Sequence, residues 1–227
     1  SLGISQEILD QYAQKLKTKS HTFENYPKDT DPKVQIERAK DADILMIANM
    51  PLSGEVIRAC KNLKFIDVAF TGVDHVDLAA AKEMGVKVSN AAGYSTQAVA
   101  EIALCMMLSL LRNIPQVEER CREGKTKDGL VGCELRGKTV GIVGAGAIGC
   151  RTAELCHAFG CKVLGYKRHV KGDEPSFIEF VSLDELLSRS DIVSLHCPIN
   201  EDSKHLINAQ TISKMKKGAY LINTARG

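Results

Sequence analysis

Short apolar runs recur along the 227-residue chain, each fenced by polar or glycine-containing stretches. In the first half these are DILMIA at 43–48, KFIDVA at 64–69 and VKVSN at 86–90. Segments with helical spacing, such as VDLAAAKEMG, lie between them. After a polar interval the pattern restarts with KTVGIV at 138–143, KVLGY at 162–166, IVSLHCP at 192–198 and AYLINT at 219–224. CRTAELCHAFG, SLDELLSRSD and NAQTISKMKKG between these runs read as helices. Runs of strand length alternating with helix-length stretches predict parallel sheets covered by helices. Ser182 precedes one of the helices with Glu185 three positions on, the spacing of a capping box in which each side chain satisfies the other's backbone N–H.

Residues 97–112 break the rhythm with a long apolar helix that reads as the connection between the halves. Its most apolar part, 99–111, contains Glu101 and is too short to cross a bilayer, so a buried helix is expected. The polar, glycine-rich stretch 122–137 suits a loop before a new domain. This predicts one α/β domain over 1–96, a connecting helix and loop over 97–137, and a second α/β domain over 138–227. The chain opens on a helix with no strand before it and stops just after an apolar strand, so a fragment of a longer protein is expected.

Composition narrows the classes. Thirty basic and 28 acidic residues leave a formal charge of +2, which offers no basic footprint for nucleic acid. Hydrophobic content of 44% and charged content of 26% are ordinary for a globular chain. The 8 cysteines form no C-x-x-C pair and sit mostly in apolar runs. Free buried thiols in a reducing, cytoplasmic setting are expected, with no metal site.

The stretch GIVGAGAIG at 141–149 carries chemistry. Gly144, Gly146 and Gly149 have the G-x-G-x-x-G spacing, placed after a strand and opening a helix. In a dinucleotide site the first glycine permits the tight turn, the second lets the backbone approach a pyrophosphate, and the third lets helix and strand pack closely. The helix N-terminus, from Ala147 and Ile148 on, offers N–H groups and a positive dipole end to phosphates. A purely structural glycine turn is the alternative. The next strand ends in GYKRHV, with Lys167 and Arg168 where an NAD site usually holds a carboxylate. Two cations there favour a ribose 2′-phosphate, hence NADP, through charge-assisted hydrogen bonds. A solvated basic loop on an NAD protein is the alternative.

DIVSLHCPINEDSKHLIN and MKKGAYLINTARG resemble the signature segments of the D-isomer-specific 2-hydroxyacid dehydrogenases. FTGVDHVDLAAAKEMGVKVSNAAGYSTQAVAE is similar to that family's substrate-domain segment, and ELRGKTVGIVGAGAIG to its entry into the cofactor domain. The AAGYST version is most like the glycerate dehydrogenase and hydroxypyruvate reductase branch. The resemblance runs in order from about residue 43 to the end. It implies two doubly wound parallel-sheet domains, a flavodoxin-like substrate domain lacking its first strand and a Rossmann cofactor domain incomplete at its C-terminus. It also implies an active site between them and a homodimer.

Residue by residue, the resemblance makes Arg226 the catalytic arginine that grips the α-carboxylate and polarises the neighbouring carbonyl. A surface arginine ending a strand is the plain alternative. Thr71 and Gly72 match the loop whose N–H groups hold the substrate carboxylate, with the Thr71 hydroxyl toward the cofactor; a bare Thr-Gly is otherwise an ordinary turn. Asn49 either faces the same site or makes an Asx-turn. His196, Cys197 and Pro198 match the strand end that lines the dinucleotide, and His196 is not the catalytic acid. Ser203 keeps a hydroxyl where the family has threonine, and Thr224 and Ala225 pass beside the nicotinamide ribose. The implied activity is hydride transfer between NADP, or alternatively NAD, and a small 2-keto or 2-hydroxy acid such as hydroxypyruvate or glyoxylate. The rivals are a dinucleotide-sensing, corepressor-like binding protein of the same fold and a formate dehydrogenase-like enzyme.

Overall fold

The computed structural model describes residues 4–170 and 172–225. The chain divides into two compact α/β units, 1–94 and 95–227. The first contains α1 (Gln6–Lys17), α2 (Pro32–Ala39), β1 (Ile44–Ile47), α3 (Gly54–Ala59), β2 (Phe65–Val68), α4 (Leu78–Glu83) and β3 (Lys87–Asn90). Its parallel sheet has the order β1-β2-β3, with Ile44 level with Phe65 and Phe65 level with Lys87. The helices start at polar caps. Ser53 accepts from the Val56 N–H at 3.4 Å and Asp77 from the Ala80 N–H at 2.9 Å, each satisfying a donor that the first turn leaves without a partner. Ile66 and Val68 of the middle strand are fully buried and pack with Val56, Ile57 and Ala80 of the helices.

The second unit contains α5 (Thr96–Leu111), α6 (Ile114–Arg122), β4 (Thr139–Val143), α7 (Ala147–Ala158), β5 (Lys162–Tyr166), β6 (Ile178–Phe180), α8 (Leu183–Arg189), β7 (Ile192–Leu195), α9 (Ala209–Ile212) and β8 (Tyr220–Asn223). Its parallel sheet has the order β6-β5-β4-β7-β8. The chain leaves β4 toward one edge, through β5 and β6, then returns to the other side of β4 for β7 and β8. That reversal makes a switch point between β4 and β7, where open α/β sheets hold ligands beyond the carboxyl ends of the strands. Four successive residues of β4 are buried, as a central parallel strand covered on both faces requires.

The structure departs from the sequence pattern in several places, among them α9, which keeps only Ala209–Ile212 of NAQTISKMKKG, and Cys105, Cys121 and Cys133, which are exposed where buried thiols were expected. Ile114–Arg122 form α6 rather than leading straight into a loop, preceded by Asn113 in the left-handed region at φ 54°. The short edge strand β6 arises from FIEF, too brief a run to stand out. The capping box of α8 is half made: Ser182 accepts from the Glu185 N–H at 3.2 Å, but the Glu185 carboxylate pairs with Arg189 at 2.5 Å. Lastly, α5 is not buried all round. Ala100, Ala103, Met107 and Leu111 are enclosed, whereas Ile102, Met106 and Leu110 are 53%, 42% and 42% exposed. Glu101, also exposed, accepts from Gln97. No single helix among the described residues is long and apolar enough to cross a membrane.

Candidate functional site

β4 delivers the chain to Gly144 at φ +95°, a conformation that side-chain-bearing residues rarely adopt. A Cβ at Gly144 would lie 2.6 Å from the Cys197 backbone nitrogen, so the turn also requires glycine for the close passage of the chain leaving β7. A Cβ at Gly149 would lie 2.3 Å from the Gly144 carbonyl oxygen and 3.0 Å from Ile142. That position is glycine because α7 packs directly on β4. Gly146 differs: a Cβ there would meet nothing within 4 Å. The first and third glycines therefore build the turn, and the second borders open space. Among the described residues no side chain caps the first turn of α7, and uncapped N–H groups at a helix start suit an anion.

That open space is a cavity of about 610 Å³ at the switch point, within the range of small-molecule and cofactor sites. From the residues expected of a dinucleotide site it brings together Gly144, Gly146, Lys167, Arg168, His196, Cys197, Pro198 and Ser203. Ala147 and Ile148 stand in the first turn of α7 and Gly149 is buried behind it, none of them lining the cavity. Tyr166, Asn200, Asp202 and Leu206 line it as well and were not singled out by the sequence pattern. Tyr166 was legible as the last residue of its strand. Asn200 and Asp202 lie in a loop whose path no periodicity reveals.

Each polar group has a defined partner. His196 shares Nε2 with the Ser194 hydroxyl at 2.9 Å and Nδ1 with the Thr224 hydroxyl at 3.3 Å. Burial pushes its imidazole down to about 4, so it is neutral at pH 7. Thr224 is thereby tied to β7 across the strand pair, and the Ala225 N–H donates to Asn223 at 3.0 Å. Ser203 donates to the Pro198 carbonyl at 2.5 Å and accepts from the Asn200 N–H at 2.8 Å. Its hydroxyl shapes the loop after β7. Burial pushes the Cys197 thiol up, leaving it un-ionised. Lys167 pairs with Glu174, whose side chain is only 6% exposed. Arg168 pairs with Asp202 and reaches Asn200 at 3.5 Å.

In the first unit, Asn49, Thr71 and Gly72 all follow the carboxyl ends of strands, Asn49 after β1 and the other two after β2. Asn49 and Thr71 are exposed. Asn90, the last residue of β3, donates to the Thr71 carbonyl at 2.7 Å and so positions this loop, a role no sequence signal announced. Phe70 meets Tyr94 edge to face at 6.2 Å. Arg226 lies outside the described residues. No group of three or more possible metal ligands occurs among the described residues.

A model of the NAD-binding domain of D-isomer-specific 2-hydroxyacid dehydrogenases matches residues 104–227. The chain belongs to this dehydrogenase family. Among the D-isomer-specific 2-hydroxyacid dehydrogenases and their relatives, it is 41% identical over 189 residues to a hydroxypyruvate reductase of Thermotoga maritima, a match covering 82% of this chain and 61% of that one. The chain thus spans about three fifths of that relative's length. The structure of a D-lactate dehydrogenase from Aquifex aeolicus, complexed with NAD and lactic acid, matches at a TM-score of 0.90 and 35% identity, covering 99% of this chain and 68% of that one. An acyclic imino acid reductase solved with NADPH and D-Arg matches at a TM-score of 0.89 and 30% identity, covering 100% of this chain and 72% of that one.

Proposed function

We propose that this chain forms the dinucleotide-binding and carboxylate-binding parts of an oxidoreductase that moves a hydride between a nicotinamide cofactor and C2 of a small D-2-hydroxy or 2-keto acid, of the hydroxypyruvate or glyoxylate class. The observation that carries the reading is the β4–Gly144–α7 unit, open at Gly146 onto the cavity, in a chain of this family. When bound, the nicotinamide supplies or accepts the hydride. The protein then has to hold the acid's carboxylate, polarise its C2 carbonyl and bring a proton to the oxygen. We assign the carboxylate to the loop of Thr71 and Gly72 with Asn49, and the polarising charge to Arg226. We assign His196 no proton transfer, because it is neutral and both ring nitrogens are engaged.

The complete protein, assayed with hydroxypyruvate and glyoxylate and either reduced cofactor, should reduce both acids. Arg226→Ala should lower kcat/KM by about 10²- to 10³-fold without moving the melting temperature. Absence of turnover with any 2-keto acid would overturn the reading in favour of a binding protein.

For the cofactor we propose a preference for NADP(H), supported by Lys167 and Arg168 at the cavity wall. Replacing both by Ala should weaken NADPH binding more than NADH binding in a fluorescence titration. Tighter NADH binding by the unaltered protein would reverse the assignment. We further propose a cytoplasmic homodimer, supported by the 8 unpaired cysteines and by the exposed apolar face of α5.

A further inference from the structure

The two cations at the cavity wall are not equivalent. Lys167 is largely buried and bound to the almost fully enclosed Glu174, while Gly172 donates its N–H to the same carboxylate at 2.8 Å. Drawing Lys167 away would break a largely buried ion pair, which costs more than breaking an exposed one. Arg168 and Asp202 are 54% and 64% exposed in their side chains. An exposed pair of that kind is weak and exchanges readily. Arg168 is therefore the cation that an incoming anion can recruit, and Asp202 is the group it must displace.

Asp202 arrives from far along the chain. It sits in the loop after β7, on the opposite side of β4 from β5, the strand that leads to Arg168. The loop is held from within: Asn200 Oδ1 accepts from the N–H groups of Asp202 and Ser203, each at 3.1 Å, and the Ser203 hydroxyl bonds Pro198 and Asn200. The carboxylate is thus presented to Arg168 by a structured turn. The strand end itself carries no acid to accept from a ribose hydroxyl, yet an acid stands beside its arginine in space.

We propose that Asp202 is the residue that sets the choice between a phosphorylated and a free ribose 2′-position. It does so by holding Arg168 in an intramolecular pair that a 2′-phosphate has to break. A dinucleotide without that phosphate leaves the pair intact and finds hydrogen-bond acceptors in Asp202 and Asn200. This rests on the reading of the cavity as a nicotinamide dinucleotide site.

The test uses ligands that undergo no hydride transfer, ADP-ribose and its 2′-phosphorylated form, titrated calorimetrically into the complete protein and into Asp202→Asn, Arg168→Ala and the double variant. Asp202→Asn keeps the backbone N–H that bonds Asn200. It should raise the ratio of 2′-phospho to plain affinity by about two- to fivefold, the scale of one exposed ion pair. Arg168→Ala should lower the ratio, and in that background Asp202→Asn should change little. If the unaltered protein binds both ligands and Asp202→Asn leaves the ratio unchanged, the inference fails while the dinucleotide reading stands. An equal change with and without Arg168 also overturns it, since Asp202 would then act by its own charge. If neither ligand binds the unaltered protein, the dinucleotide reading fails and the inference with it.

Discussion

His196 shows how a single residue's surroundings decide its chemistry. On the strand end it invites a catalytic role, but burial keeps it neutral, lowering its imidazole from 6.5 to about 4, while two hydroxyls engage its ring nitrogens. The unfolded chain then binds a proton that the folded chain refuses between those two values. Stability contributed by this group is full above about pH 6.5 and falls as the pH drops toward 4, by about 3 kcal/mol in all. Urea unfolding at a series of pH values should show a shallower loss over this interval for His196→Gln than for the unaltered protein. Identical slopes would show that the ring is accessible and titrates normally. The motif HCP was legible as a strand end, and it lines the cavity, but the burial and the hydroxyl partners of the histidine were not: Thr224 is distant in sequence, and only the sheet brings it alongside.

At the scale of the element, the strand–turn–helix unit separates glycines that build the fold from the one that borders a ligand space. Gly149→Ala would drive a methyl group into the Gly144 carbonyl at 2.3 Å, and overpacking of this kind costs about 1–3 kcal/mol. Gly146→Ala meets nothing, so the loss should stay within about 1 kcal/mol, the scale of an N-cap change, while dinucleotide affinity falls. Thermal melts paired with cofactor titrations distinguish the two, and equal destabilisation by both would refute the division. The end of α7 follows the same logic. Gly160 at φ +81° donates to the His157 carbonyl at 2.8 Å and the Cys161 N–H to the Cys156 carbonyl at 3.1 Å, which closes the helix and sets the two thiols together in the core. At α8, Ser182→Ala should lose about 1 kcal/mol of stability, because the Glu185 N–H loses the side-chain acceptor that caps it. Glu185→Gln should matter less to the cap, since its carboxylate serves Arg189 instead.

For the whole molecule, the apolar face of α5 is the feature with the largest consequence. Ile102, Met106 and Leu110 follow one another at four-residue spacing and lead into Ile114, which is 48% exposed. An exposed apolar stripe of this kind marks an interaction surface more often than an isolated apolar residue does. If a second copy covers it, as proposed, Met106→Glu should turn a dimer into a monomer in light-scattering measurements without lowering the monomer's melting temperature. An unaltered dimer would place the interface elsewhere.

Strand positions, the glycine turn and the family signatures were set by local order along the chain. Alternating runs have only a few ways to bury their apolar residues, and a phosphate-binding turn needs its glycines at fixed spacing. Sequence did not show how much of α5 is covered, because its apolar residues spread far beyond one face and burial depends on what packs against them. Nor could it pair Arg168 with Asp202 or Lys167 with Glu174. Both cations read alike in GYKRHV, and only the tertiary fold buries one pair and leaves the other at the surface, because charges meet by position in space and not by distance along the chain.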